Sequence, residues 1–157
     1  MALTVGSTAP QFTLIDTERK PRSLSEFLGT KKKTVLLFYP GAFTGACQKE
    51  MCAFRDAMTQ FNEMDAQIVG ISVDSPFANH AFAEKNGLQF PLLSDFTRET
   101  AKAYVGVYDN FAGVPGYTVA KRSVFVIDGD GKITYTWVSE DKPAAEPPYE
   151  EVKEAVK

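Results

Sequence analysis

Three short apolar runs, at 34–39, 67–73 and 123–127, constrain the fold of this chain more than any other feature. Each run is rich in β-branched or aromatic residues, so each predicts a buried strand. Helical periodicity fills the segments between them, at 44–64, 75–86 and 98–104. Strands that alternate with helices tend to pair in parallel, because the return connection needs about the length of a helix.

Weaker local signals complete the outline. A short strand is predicted at 12–15, and a helical turn at 23–29, where Ser23 and Glu26 have the spacing of a capping box. The remaining segments are a short extended piece at 90–93, a glycine-rich loop at 106–116, a hairpin turn at 128–131 with its second strand at 133–138, and a final helix after 147–148.

These elements predict a single domain over 1–157, with a mixed central sheet and helices on both faces. The thioredoxin-like fold has this α/β arrangement. In such sheets the chemistry gathers beyond the carboxyl ends of the strands. Residues 40–47 directly follow the strand at 34–39 and therefore mark the expected functional edge.

The composition favours an ordinary globular protein and argues against several kinds of partner. A net charge of −3 gives no electrostatic basis for binding nucleic acid or an anionic membrane. No apolar run approaches the about 20 residues that span a bilayer, and residues 1–6 lack the pattern of a signal peptide. We therefore expect a cytoplasmic protein, in which a permanent disulfide is not expected and a transient catalytic one is possible.

Cys47 is the first candidate for chemistry. It falls in the first turn of the helix predicted at 44–64, where unpaired backbone N–H groups and the helix dipole favour a thiolate. It also shares an apolar helical face with Met51 and Phe54, so an inert buried cysteine is the alternative.

Cys52 falls on a different face of the same helix. Its neighbours at helical spacing are polar, so the thiol is expected to be partly exposed; they are Gln48, Arg55, Thr59 and Asn62. In an intact helix the Cα atoms of Cys47 and Cys52 are about 8–9 Å apart. A disulfide needs a separation of about 4.4–6.8 Å, so a bond between them requires the first helical turn to unwind.

A metal site or a dithiol site is poorly supported by the sequence. The two cysteines and His80 give too few ligands, and the C-x-x-C pattern of a dithiol oxidoreductase is missing. No metal and no cofactor are expected.

Arg122 is the second candidate for chemistry. It opens the third strand on the face of Val124 and Val126, where a guanidinium needs an anionic partner or a route to solvent. The Cys47 thiolate could be that partner, and Glu50, one turn later, could hold the arginine fork. The alternative is an arginine that reaches solvent at the strand edge.

Pro40, Thr44 and Cys47 form the pattern P-x-x-x-T-x-x-C, which resembles the peroxiredoxins, and the segment that begins at Arg122 is similar to their second signature. The likeness extends over essentially the whole chain. It implies a thioredoxin-like fold and thiol peroxidase activity, with Cys47 as the peroxidatic cysteine shielded by Pro40. Thr44 and Arg122 would hold the peroxide oxygens, and Glu50 would orient the arginine.

The resemblance leaves the second half of the cycle open. The run at 43–48 resembles an AhpE-like group, whose type member uses one cysteine and an external thiol. The position of Cys52 resembles the resolving cysteine of the PrxQ-like group, although Gln48 departs from the usual residue after Cys47. We favour a Cys47–Cys52 disulfide reduced by a thioredoxin-like donor, in a monomer or homodimer. A redox-activated holdase or signalling protein and a disulfide reductase of the same fold are the other hypotheses.

Overall fold

The computed structural model describes residues 2–157, and a mixed sheet forms its centre. The strands are β1 (Thr13–Asp16), β2 (Pro21–Ser23), β3 (Lys33–Phe38), β4 (Ala66–Ser72), β5 (Leu92–Ser94), β6 (Val107–Tyr108), β7 (Val119–Ala120), β8 (Ser123–Asp128) and β9 (Ile133–Val138). The helices are α1 (Leu24–Leu28), α2 (Gly45–Asp56), α3 (Met58–Glu63), α4 (Pro76–Asn86), α5 (Glu99–Tyr104) and α6 (Tyr149–Ala155).

The main sheet has the strand order β2-β1-β5-β4-β3-β8-β9. Strands β3, β4 and β5 are parallel, whereas β8 runs antiparallel to β3 and β9 antiparallel to β8. The parallel strands are joined through helices, and the hairpin of β8 and β9 needs only a tight turn. Within residues 2–157, β6 and β7 form a separate small ladder.

Alternate side chains of the central strands point into two hydrophobic cores, one on each face of the sheet. Val35, Leu37 and Val124 point to the face covered by α2, α3, α4 and α6. Leu36 and Phe125 point to the opposite face, where α1 and α5 pack. The prediction of a mixed sheet with helices on both faces is confirmed.

Two local predictions were wrong. The helix expected over 44–64 is broken at Ala57, and Phe54 before the break packs against Phe61 after it in one core, with ring centroids 5.9 Å apart. The capping box does not form, because Glu26 instead accepts a hydrogen bond from Arg22 Nε at 2.6 Å and the Ser23 side chain caps nothing.

Candidate active site

Three elements meet at one edge of the main sheet: the end of β3, the start of α2 and the start of β8. Antiparallel pairing of Phe38 with Ser123 brings Arg122, one residue earlier, to the carboxyl end of β3. Thr44 is the N-cap of α2, and Cys47 is its third residue. The chain therefore brings a thiol and a guanidinium together from positions 75 residues apart.

Arg122 connects the thiol to a carboxylate. Its Nη2 donates to Cys47 Sγ at 3.0 Å, and its Nη1 donates to Glu50 Oε1 at 2.5 Å. Its Nε donates to the carbonyl oxygen of Pro143 at 2.7 Å, so all three nitrogens of the fork are held. Arg122, Glu50 and Cys47 are each at most 1% exposed, so a peroxide reaches the sulfur only when neighbouring atoms move.

The charges of this cluster do not balance when both acids are ionised. Burial raises the pKa of the Cys47 thiol, and Glu50 adds to that, while Arg122, the Thr44 side chain and the Gly41 backbone lower it. Burial also raises the pKa of Glu50 to about 7, against the opposing effect of Arg122. One guanidinium thus faces two buried acids. Burial therefore outweighs the effect of the helix N-terminus, and the thiolate expected there is not favoured in this structure.

The loop between β3 and α2 is tied at two points. Thr44 Oγ1 donates to the carbonyl oxygen of Gly41 at 2.9 Å, and the Ala42 backbone N–H donates to Asp74 Oδ2 at 2.7 Å. Phe43 lies in the left-handed region with φ 66°, and its ring packs edge-on against a phenylalanine of α4. Pro40 begins the loop and is buried.

Cys52 lies in the same unbroken helix as Cys47, and both are free thiols. It is partly exposed, as expected from its polar helical face. Its Sγ donates to Asn86 Oδ1 at 3.6 Å, and Arg55 Nη1 donates to the Asn86 carbonyl oxygen at 2.5 Å. These contacts fix the middle of α2 to the end of α4, and the helix keeps the two sulfurs apart.

Sequence reasoning missed two side chains at this edge. Asp74 lies two residues beyond the end of β4, and the rule that polar residues gather beyond the carboxyl ends of parallel strands would have pointed to it. Asn86 carried no such signal, because its contact with Cys52 depends on how α4 packs against α2.

Neither a metal-ligand cluster nor a membrane-spanning helix occurs among residues 2–157. Over the described residues 2–157, there is no cluster of three or more histidine, cysteine or acidic side chains that could hold a metal. His80 is exposed and lies 3.3 Å from Glu84 on the same helix. Across that same part of the chain, no helix is both long and apolar enough to cross a bilayer.

Residues 5–136 match the AhpC/TSA family. Among curated proteins, a chloroplastic peroxiredoxin Q from Sedum lineare is 40% identical over 90% of this chain and 72% of its own length. A putative peroxiredoxin of Mycobacterium tuberculosis is 42% identical over 83% and 82% of the two chains. The chain spans only 60% of the peroxiredoxin Q of Gentiana triflora, which is 38% identical.

Solved structures agree with these matches. BcpB, a peroxidoxin of Mycobacterium tuberculosis, superposes with a TM-score of 0.85 at 34% identity, over 98% of this chain and 96% of BcpB. A cysteine-to-serine mutant of PrxQ from Xylella fastidiosa gives a TM-score of 0.83 at 26% identity, over 98% and 95% of the two chains.

Proposed function

This chain belongs to the AhpC/TSA family and is a peroxiredoxin, a thiol peroxidase, and we propose that Cys47 is its peroxidatic cysteine and Cys52 the resolving one. The observation that carries the proposal is the buried contact between Arg122 Nη2 and Cys47 Sγ. A guanidinium beside a sulfur favours the thiolate, which is the nucleophilic form of cysteine.

In the first step the Cys47 thiolate attacks one oxygen of a hydroperoxide. The S–O bond forms while the O–O bond breaks, so the sulfur is oxidised by two electrons and the peroxide is reduced. The departing oxygen takes up a proton and leaves as water or an alcohol, and Cys47 is left as a sulfenic acid. Arg122 lies beside the sulfur, where a cation lowers the energy of the charge that develops on the departing oxygen.

Thr44, Pro40 and Glu50 support this step. The Thr44 hydroxyl donates a hydrogen bond to the Gly41 carbonyl oxygen, so its own oxygen lone pairs remain to accept a hydrogen bond from the peroxide. Buried Pro40 has no N–H and limits water at the loop. Glu50 holds Nη1 of Arg122, which fixes the fork that faces Cys47.

In the second step Cys52 attacks the sulfenic acid, a disulfide forms and water leaves. Because both cysteines lie in α2, the step requires the first turns of that helix to unwind. Cys52 is partly exposed and fixed to α4 through Asn86, so Cys47 is the residue that travels. A thioredoxin-like dithiol then reduces the exposed disulfide.

Turnover by a single cysteine is the alternative, and the intact helix that separates the two thiols favours it. In that case a small external thiol reduces Cys47 and Cys52 has no part in the cycle. A monomer or homodimer in the cytoplasm remains our prediction for the assembly and its location.

The intact mass after one equivalent of hydrogen peroxide tests the proposal. Loss of two hydrogens indicates the disulfide, whereas gain of one oxygen indicates a stable sulfenate. Cys47→Ser should abolish peroxide consumption. Cys52→Ser should convert the product from disulfide to sulfenate and stop turnover with thioredoxin. Unchanged turnover in Cys52→Ser would establish the single-cysteine cycle.

A further inference from the structure

Asp74 is a carboxylate that contacts the loop leading to Cys47 from outside that loop. It lies two residues beyond the end of β4 and is mostly buried between the sheet edge and the loop. Its Oδ2 accepts the Ala42 backbone N–H at 2.7 Å and the Ser72 hydroxyl at 2.8 Å. Nothing in the mechanism above uses this side chain.

A buried polar network fixes the Asp74 side chain. Ser72 Oγ, which donates to Asp74 Oδ2, accepts from Asn79 Nδ2 at 3.2 Å and from the Asp74 backbone N–H at 3.2 Å. Asn79 Oδ1 in turn accepts the Tyr39 hydroxyl at 2.6 Å. Ser72, Asn79 and Tyr39 are fully buried, so the carboxylate is held in one orientation by groups of β4 and α4 and by the end of β3.

The contact controls a single peptide plane. The Ala42 N–H and the Gly41 C=O belong to the same planar trans peptide unit, so they point in opposite directions. When Asp74 accepts the N–H, the carbonyl is turned to the other side, where it accepts Thr44 Oγ1 at 2.9 Å. Gly41 by itself does little to fix the orientation of this peptide plane, because a residue without Cβ has wide backbone freedom.

We propose that Asp74 is a positioning residue for the reaction of Cys47 with peroxide: it fixes the Gly41–Ala42 peptide, and that peptide orients the Thr44 hydroxyl beside the thiol. The proposal rests on the function proposed above. Thr44 and Gly41 both contribute to the electrostatics of the sulfur, since the side chain of one and the backbone of the other lower the pKa of Cys47. Rotation of the Gly41–Ala42 peptide would turn the Gly41 carbonyl oxygen away from Thr44 Oγ1, so the hydroxyl would lose the contact that orients it.

The test is the second-order rate constant of Cys47 with hydrogen peroxide, measured by competition against a haem peroxidase. Asp74→Ala should lower it about tenfold or more, the effect of losing about one positioned hydrogen bond. Asp74→Asn should stay within about threefold of the original chain, because its amide oxygen can accept the Ala42 N–H. Asp74→Ser, whose hydroxyl is too short to reach Ala42, should repeat the loss if the alanine variant folds poorly.

Asp16→Ala is the matched control. Asp16 is also a buried carboxylate that accepts backbone N–H groups, those of Glu18 at 2.9 Å and Lys20 at 3.0 Å, but it contacts no residue of the loop. Its loss should lower stability and leave the peroxide rate constant unchanged.

Two outcomes would overturn the proposal. The first is an Asp74→Ala rate constant within twofold of the original, and the second is an Asp74→Asn rate constant as low as that of Asp74→Ala. Failure of the peroxidase proposal itself would look different, because peroxide consumption would then persist in Cys47→Ser.

Discussion

Replacing Glu50 by glutamine should make Cys47 easier to ionise. The glutamine keeps an oxygen that can accept from Arg122 Nη1 but removes the negative charge that competes with the thiolate for one guanidinium. Glu50 is among the groups that raise the pKa of Cys47, so its neutralisation should lower that pKa. If a charged Glu50 were needed only to hold the arginine in place, the same change would raise the pKa of Cys47 instead.

The contacts of Arg122 set the size of the expected shift. The carboxylate and the sulfur lie on neighbouring nitrogens of one fork, at 2.5 and 3.0 Å. Two unit charges about 5 Å apart interact by about 3 kcal/mol at an effective dielectric constant of about 20, equivalent to about 2 pKa units. Because the pKa of Glu50 is about 7 and the pKa of Cys47 is raised above its ordinary value of 9.0, Glu50 is fully charged where Cys47 titrates, and the whole interaction should be lost in Glu50→Gln.

The assay is the pH dependence of Cys47 alkylation by iodoacetamide, followed by peptide mass so that Cys52 is counted separately. Glu50→Gln should move the midpoint for Cys47 down by about two units. Glu26→Gln is the control, because Glu26 also accepts from an arginine, at 2.6 Å, but on the surface. A midpoint that moves upward in Glu50→Gln would refute the competition of two acids for Arg122.

Three further predictions concern stability and motion. The folded pKa of Glu50 is about 7 and its ordinary value is 4.5, so between these pH values the folded protein binds one proton more than the unfolded chain. The free energy of unfolding should therefore fall by about 3 kcal/mol as the pH rises from 4.5 to 7. Urea unfolding at pH 5 and 8 should show this fall, and Glu50→Gln should lack it. Gly70→Ala should lower the free energy of unfolding by about 1–3 kcal/mol, because a Cβ there would lie 2.6 Å from a leucine side chain. Gly129→Ala, whose Cβ would meet nothing within 4 Å, should leave the free energy of unfolding nearly unchanged in the same urea titration. Oxidation by one equivalent of peroxide should raise amide hydrogen exchange over residues 44–54, and unchanged exchange in the disulfide form would contradict the unwinding of α2.

Local pattern was enough to predict much of the fold. The strand at 133–138 has the observed bounds of β9, and the helix predicted over 75–86 coincides with α4, where the N-cap Ser75 Oγ accepts the Ala78 N–H at 3.1 Å. These features depend on neighbours within a few residues, so the sequence contains all of the information. The ladder of β6 and β7 was missed, because its pairing joins two short segments that carry no strand pattern of their own.

The break at Ala57 shows where local pattern fails. Nothing at that position interrupts helical periodicity, and neither glycine nor proline occurs there. Phe54 and Phe61, on either side of the break, both pack into the core on one face of the sheet, where residues far away in the chain set the available space.

The sequence by itself determined that Cys47 begins a helix at the carboxyl end of a buried strand and that Cys52 faces a polar stripe, because helical and strand periods fix direction along a chain. Only the tertiary structure decided the electrostatics of that thiol. Desolvation and Coulomb interactions depend on distance through space, and the groups involved come from the loop after β3, from α2 and from the residue before β8. The burial that raises the pKa of Cys47, the acid that competes for Arg122 and the Asp74 carboxylate that holds the loop are all consequences of packing.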